Sequence, residues 1–149
     1  MKKHIMAVLS VLCLSACSSQ VSVKSGSRSE AINAGTLDRT MYLRGDFTLW
    51  DFEPHYILKE QSAGIYTVKA KFMTPGKVYE FKIADEQWSK GYNCGYKVQG
   101  ALKLGQAQLA DCNALYNYFT FMPNKKGWYV ITFDYRDNQS PTVTINMSY

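Results

Sequence analysis

The chain has 149 residues, with 17 Lys and Arg against 12 Asp and Glu and a formal net charge of +5. That length suits one domain with a tether and leaves no room for a second domain. The charge is too small and too scattered for nucleic acid, since Lys125-Lys126 is the only basic doublet beyond Lys2-Lys3.

The N-terminus is built as a secretion signal. Lys2 and Lys3 form a positive n-region, Ile5 to Leu14 an apolar run, and Ser15-Ala16 a small-residue exit. The run is too short to span a bilayer, which takes ~20 apolar residues. Leu14-Ser15-Ala16-Cys17 resembles the bacterial lipobox. That resemblance implies cleavage before Cys17, diacylation of its thiol and acylation of the new N-terminus. A multiply acylated cysteine is a stable membrane anchor where a single chain is not. Ser18 stands where inner-membrane retention uses Asp, so the resemblance implies the outer membrane. Residues 1–16 are thus the signal, and without Lys2 and Lys3 the remaining chain carries +3.

Cys13 leaves with the signal and Cys17 carries lipid, so Cys94 and Cys112 remain as a pair in an oxidising compartment. A disulfide between them is the plain expectation, and a loop of this length is worth about 3 kcal/mol in the chain-entropy model. The alternative is zinc. It is poorly served, because His55 is the one histidine left and no CxxC or HxxxH spacing occurs. No metal or cofactor is expected.

Residues 17–37 comprise the lipidated cysteine and a linker rich in Ser, Gly, Ala and charge, with no sustained apolar period. From residue 38 to 149 the pattern changes to period two. Met41 to Arg44 and Tyr56 to Leu58 read as short strands. In Ile65 to Phe72, Tyr66, Val68, Ala70 and Phe72 share one face and Thr67, Lys69 and Lys71 the other. Thr74-Pro75-Gly76 turns the chain, and Tyr79, Phe81 and Ile83 alternate on the return. A second hairpin joins Tyr116 to Phe121, through Pro123 to Gly127, with Tyr129, Ile131, Phe133 and Tyr135; the last strand aligns Val143, Ile145 and Met147. Gln99 to Cys112 carries Leu102, Leu104 and Leu109 but is weakened as a helix by Gly100 and Gly105. It reads as a long, mostly irregular crossover. About seven short strands and no convincing helix predict an all-β domain, a single immunoglobulin-like antiparallel β-sandwich.

Two segments carry a family resemblance. Tyr42-Leu43-Arg44-Gly45-Asp46-Phe47 followed by Trp50, and Tyr79-Glu80-Phe81-Lys82-Ile83-Ala84-Asp85 followed by Trp88, resemble the early-set sandwich modules attached to bacterial pullulanases. The glycogen-binding module of the AMP-activated kinase β subunit is a more distant likeness. The resemblance implies that Trp50 and Trp88 stack on glucose rings and that Lys82 hydrogen-bonds sugar hydroxyls. Tyr92, Asn93 and Gln87 are placed to add contacts. An indole face suits the apolar C–H face of a sugar, and flanking amides read its hydroxyls. The plainer readings are tryptophans that close the end of a core and an outward lysine that is simply solvated.

Catalysis is hard to assemble. A nucleophilic triad needs a histidine, and His55 stands alone in an irregular segment. Glycoside hydrolysis needs two carboxylates across a cleft. Asp46, Asp51 and Glu53, or Asp85 and Glu86, are neighbours in sequence, but so small a sandwich offers no deep groove. The expected function is therefore non-catalytic: an outer-membrane lipoprotein whose partner is an α-glucan or, in the alternative, another envelope protein.

Overall fold

The computed structural model describes residues 35–149. The signal segment, Cys17 and the linker to residue 34 lie outside the described residues. Nine strands are present: β1 (Tyr42–Gly45), β2 (Lys59–Ser62), β3 (Ile65–Phe72), β4 (Tyr79–Ala84), β5 (Asn93–Tyr96), β6 (Gln108–Asp111), β7 (Phe119–Phe121), β8 (Gly127–Asp134) and β9 (Thr142–Met147). Every strand pairing is antiparallel. The protein is an all-β sandwich, as the alternation predicts.

One layer runs β2-β3-β8-β9, and the facing layer groups β1, β7 and β5 around β4. β6 pairs with both β5 and β9, so the two layers form one curled sheet closed along that edge. The period-two faces explain the core. Tyr66, Val68, Ala70 and Phe72 of β3 and Tyr129, Ile131 and Phe133 of β8 meet Tyr79, Phe81 and Ile83 of β4 and Phe119 and Phe121 of β7. Phe72 sits at the junction, with ring centroids 4.6 Å from Tyr79, 5.6 Å from Phe121 and 5.5 Å from Tyr129. Tilted aromatic packing of this kind adds about 0.5–1.5 kcal/mol per pair beyond buried area.

Three strand assignments change. Pro54 opens a short 3₁₀ turn over Pro54–Tyr56, because its fixed φ suits the first helical position. Ile57 then makes only an isolated bridge to Tyr42, and the strand expected over 56–58 is displaced to β2. The expected irregular crossover contains β6, whose four residues are too few to show a period. β7 begins at Phe119 rather than Tyr116, because residues 113–118 leave the sheet and fold over its outer face. The count is nine where about seven were expected.

The end of the linker is described as well. Gly35 donates its amide to the Arg136 carbonyl, and the Leu37 amide donates to the Tyr66 hydroxyl. Residues 35 to 37 thus lie against the sandwich.

The outer face of β4 positions the site. Lys82 and Ala84 point away from the core and yet are buried, Lys82 to 1% exposure. Register places Arg44 of β1 beside Lys82, and Asn93 of β5 beside Ala84. Loops cover these side chains. Cys94 and Cys112 form the expected disulfide across a separation of 18 residues. It links the strand bearing Asn93 to the start of the 113–118 loop. Gly95 is required here, because a Cβ on it would fall on the Asn117 backbone carbonyl, which accepts the Tyr96 amide at 3.1 Å.

Replacing both Cys94 and Cys112 with serine is expected to lower unfolding free energy by about 3 kcal/mol, read as a lower urea midpoint, with a steeper slope as the unlinked denatured chain exposes more surface. A double variant as stable as the parent would show that the loop is held by its other contacts alone.

Candidate functional site

Two backbone strains mark the site. Leu49 and Trp50 follow a 3₁₀ turn over Asp46–Thr48 with φ of 52° and 63°, and Trp88 has φ of 57°. Bulky residues avoid this left-handed region, at a cost of about 1–3 kcal/mol each, and such costs gather at functional sites. Leu49 is 88% exposed, so its own side chain gains nothing from the strain. Its effect is to aim Trp50.

Arg44 holds both tryptophans in place. Its Nε donates to the Trp50 carbonyl at 2.9 Å, and its Nη1 to the carbonyls of Asp85 at 2.7 Å and Glu86 at 3.1 Å. Its guanidinium lies 3.6 Å from the Trp88 ring centroid. Arg44 is 4% exposed, and burial lowers its pKa against the opposing pull of Asp51, Asp85 and Glu86. A planar fork is the group that can bind two loops and stack at once.

Lys82 does the same for a third loop. Its Nζ donates to the Ala114 carbonyl at 2.8 Å, the Leu115 carbonyl at 3.2 Å and Asn117 Oδ1 at 2.6 Å. Burial pushes its pKa down to about 8, partly offset by the Asp111 carboxylate. Lys82 is therefore not the solvated lysine that an outward strand position suggests.

Together these residues frame a pocket of about 340 Å³ lined by Trp50, Lys82, Trp88, Asn93, Leu115, Tyr116 and Tyr118. That volume is at the lower end for small-molecule sites. Trp50 stands 6.4 Å from Trp88 at 47° and 5.0 Å from Tyr118 at 55° between ring planes. The three half-buried rings make a curved apolar wall. Asn93 is 4% exposed, and its Oδ1 has no hydrogen-bond partner. A buried acceptor left unpaired costs about 1–3 kcal/mol.

Four of the six predicted binding residues therefore converge, Trp50, Trp88, Lys82 and Asn93, while Gln87 is exposed and outside the pocket lining. Tyr92 does not join them either. Its hydroxyl donates to Asp38 Oδ1 at 2.6 Å, with the Arg39 guanidinium 4.5 Å from its ring centroid, so it pins the segment before β1. Arg44, Leu115, Tyr116 and Tyr118 were missed. Arg44 had a readable signal, since alternation puts it outward beside Lys82 once the strands are paired.

The acids near the site meet partners of their own, Asp46 the Lys77 ammonium and Glu86 the Tyr42 hydroxyl. Burial alone would raise the Asp85 carboxyl, but hydrogen bonds from Ser89 and Arg39 hold it below the usual range. His55 meets Glu53 at 2.9 Å on the surface. Among the described residues no three His, Cys, Asp or Glu side chains come together as metal ligands. A second depression of about 360 Å³, around Lys97, Asp111, Tyr135 and Gln139, leaves no buried side-chain polar atom without a partner.

No family model matches the chain, and no curated protein matches it. It is similar to a solved structure named "Ligand induced structure of AmyP-SBD", a starch-binding domain, at a TM-score of 0.57 and 15% identity. The match covers 97% of this chain and 97% of that one. The likeness is one of fold, an all-β sandwich.

Arg44→Lys is expected to cost about 2 kcal/mol, because one ammonium cannot reach both loops and stack on Trp88. Urea unfolding and a red shift of tryptophan emission would report it. Unchanged stability and emission would show that the two tryptophans are placed without the fork.

Proposed function

We propose that this protein is a non-catalytic carbohydrate-binding module that takes an α-glucan chain in the Trp50–Trp88 pocket. The observation that carries the reading is the aromatic wall of Trp50, Trp88 and Tyr118 along a pocket that the buried Asn93 also lines. A sugar suits such a wall, because its apolar C–H faces pack on indole and phenol rings. The 47° tilt between Trp50 and Trp88 suits a chain that curves from ring to ring, as α-linked glucans do and flat β-1,4 chains do not. Likeness of fold to a starch-binding domain supports the same class.

In this reading acylated Cys17 anchors the module to the outer membrane, and the linker presents it to glucan chains near that surface. A second reading has its own support: Leu115 and Tyr116, which line the pocket and are exposed to 64% and 79%, present apolar surface that would also suit an envelope protein.

Affinity electrophoresis through soluble starch tests the choice. The parent protein is expected to be retarded, and Trp50→Ala and Trp88→Ala each to weaken retention roughly thirtyfold, the equivalent of about 2 kcal/mol. Trp128→Ala, in the opposite layer, should leave it unchanged. Equal mobility of the parent with and without starch would overturn the reading and favour protein docking.

A further inference from the structure

Lys82 raises a question of proton supply that the glycan reading leaves open. An ammonium has three N–H groups and no acceptor. All three contacts at Nζ are acceptors: the carbonyls of Ala114 and Leu115 and the Oδ1 of Asn117. Carbonyls cannot become donors. Asn117 cannot turn its amide round either, because Nδ2 already donates to the Tyr96 carbonyl at 2.9 Å and the Asp111 carbonyl at 3.0 Å. Lys82 has no donor left for a sugar.

We infer that Lys82 is a positioning residue rather than a sugar contact: its charged ammonium props the 114–117 loop that carries Leu115 and Tyr116 as one wall of the pocket, so the site is complete only while Lys82 is protonated.

The neutral amine has two N–H groups and a lone pair. Facing three fixed acceptors, it leaves one carbonyl oxygen or Oδ1 against the lone pair, and the wall is released. The neutral form is within reach, since burial lowers the Lys82 pKa to about 8. The groups that face Lys82 are few. Asp111 on β6 favours the charge. The Tyr118 ring centroid lies 6.0 Å from Nζ. Arg44, its cross-strand neighbour, is a like charge turned toward Trp50, Asp85 and Glu86. Loss of the Lys82 proton would not unfold the domain. The unfolded chain holds that proton up to 10.5 and the folded chain only to about 8, so folding gains stability from this group as pH rises through that window. Tyr42, Tyr92 and Tyr135, whose pKa values are raised from 10.0, act in the opposite sense only from about pH 10 upward.

The affinity part of this inference rests on the glycan reading, and the wall part does not. The test therefore has two readouts on the purified full-length protein between about pH 6.5 and 9.5: affinity for maltoheptaose, and NMR signals of the Leu115 and Tyr116 amides without sugar. In the parent both are expected to change with one midpoint at about 8, with affinity falling severalfold above it. Lys82→Met, which keeps the apolar stem, should show weak binding and no step in either. Lys82→Arg, which does not titrate, should keep the fold and lose the step even if Lys82→Met folds poorly. Falling affinity with unmoved Leu115 and Tyr116 signals would make Lys82 a sugar contact and overturn the inference, as would a step that survives in both variants. A parent that ignores maltoheptaose but shows the amide step would overturn the glycan reading and leave the prop standing.

Discussion

Arg44 and Lys82 lie side by side on the outer face of β1 and β4, two buried positive charges in direct cross-strand register. Like charges so placed repel, and each also forfeits its hydration, a cost of several kcal/mol per ion. The arrangement survives because each cation collects its own acceptors. Arg44 takes three main-chain carbonyls, and Lys82 takes two carbonyls and an amide oxygen. Charge-assisted hydrogen bonds of this kind are worth about 1.5–3 kcal/mol each. The loops at residues 46–52, 85–92 and 113–118 have little secondary structure, and these cations give them fixed positions. The pocket is what those loops enclose.

The third loop has a second constraint. Cys94 follows Asn93 in β5, and its bond to Cys112 begins the path that leads to Leu115 and Tyr116. Asn117 closes that path. Its carbonyl accepts the Tyr96 amide, its Nδ2 binds two more carbonyls, and its Oδ1 meets Lys82. Gly95 is the room this crossing needs. A covalent link, a buried amide and a buried ammonium thus converge on about five residues, whereas the distal turn at Pro75-Gly76 is held by backbone bonds from Gly76 to Pro123 and from Lys77 to Thr74 and by the Thr74 amide donating to the Tyr79 hydroxyl.

What could be read in the sequence follows from what leaves a period. β3, β4 and β8 alternate over six to eight residues, and their core faces match that alternation apart from the covered Lys82 and Ala84; neither expected hairpin forms, because β3 pairs with β8 and β4 with β7, so each turn crosses between layers. β5 and β6 span four residues each and are ordered by pairing and by the disulfide, so no local pattern announces them. The site divides in the same way. Trp50, Trp88 and Lys82 were found through motif likeness and Asn93 through adjacency, but alternation alone assigned Lys82 to solvent. The error is instructive: period two tells which side of a sheet a residue faces, and it is silent on whether a loop covers that side. Arg44 was missed for the same reason. Two long cations outward at paired positions are, with hindsight of the pairing, a sign that something polar sits above them.

Strain and openness then have a common explanation. Left-handed φ at Leu49, Trp50 and Trp88, together with an unsatisfied Asn93 oxygen, are costs the folded protein carries without a ligand. The cations offset them in advance, so that the aromatic wall is already shaped before anything binds. A ligand entering such a site loses its own freedom but does not have to order loops, which is where association usually forfeits about 0.5–1.5 kcal/mol per immobilised side chain. That division suits a small binding pocket. Part of the domain's stability is spent on holding that shape, through the carbonyls that Arg44 and Lys82 gather beneath the loops.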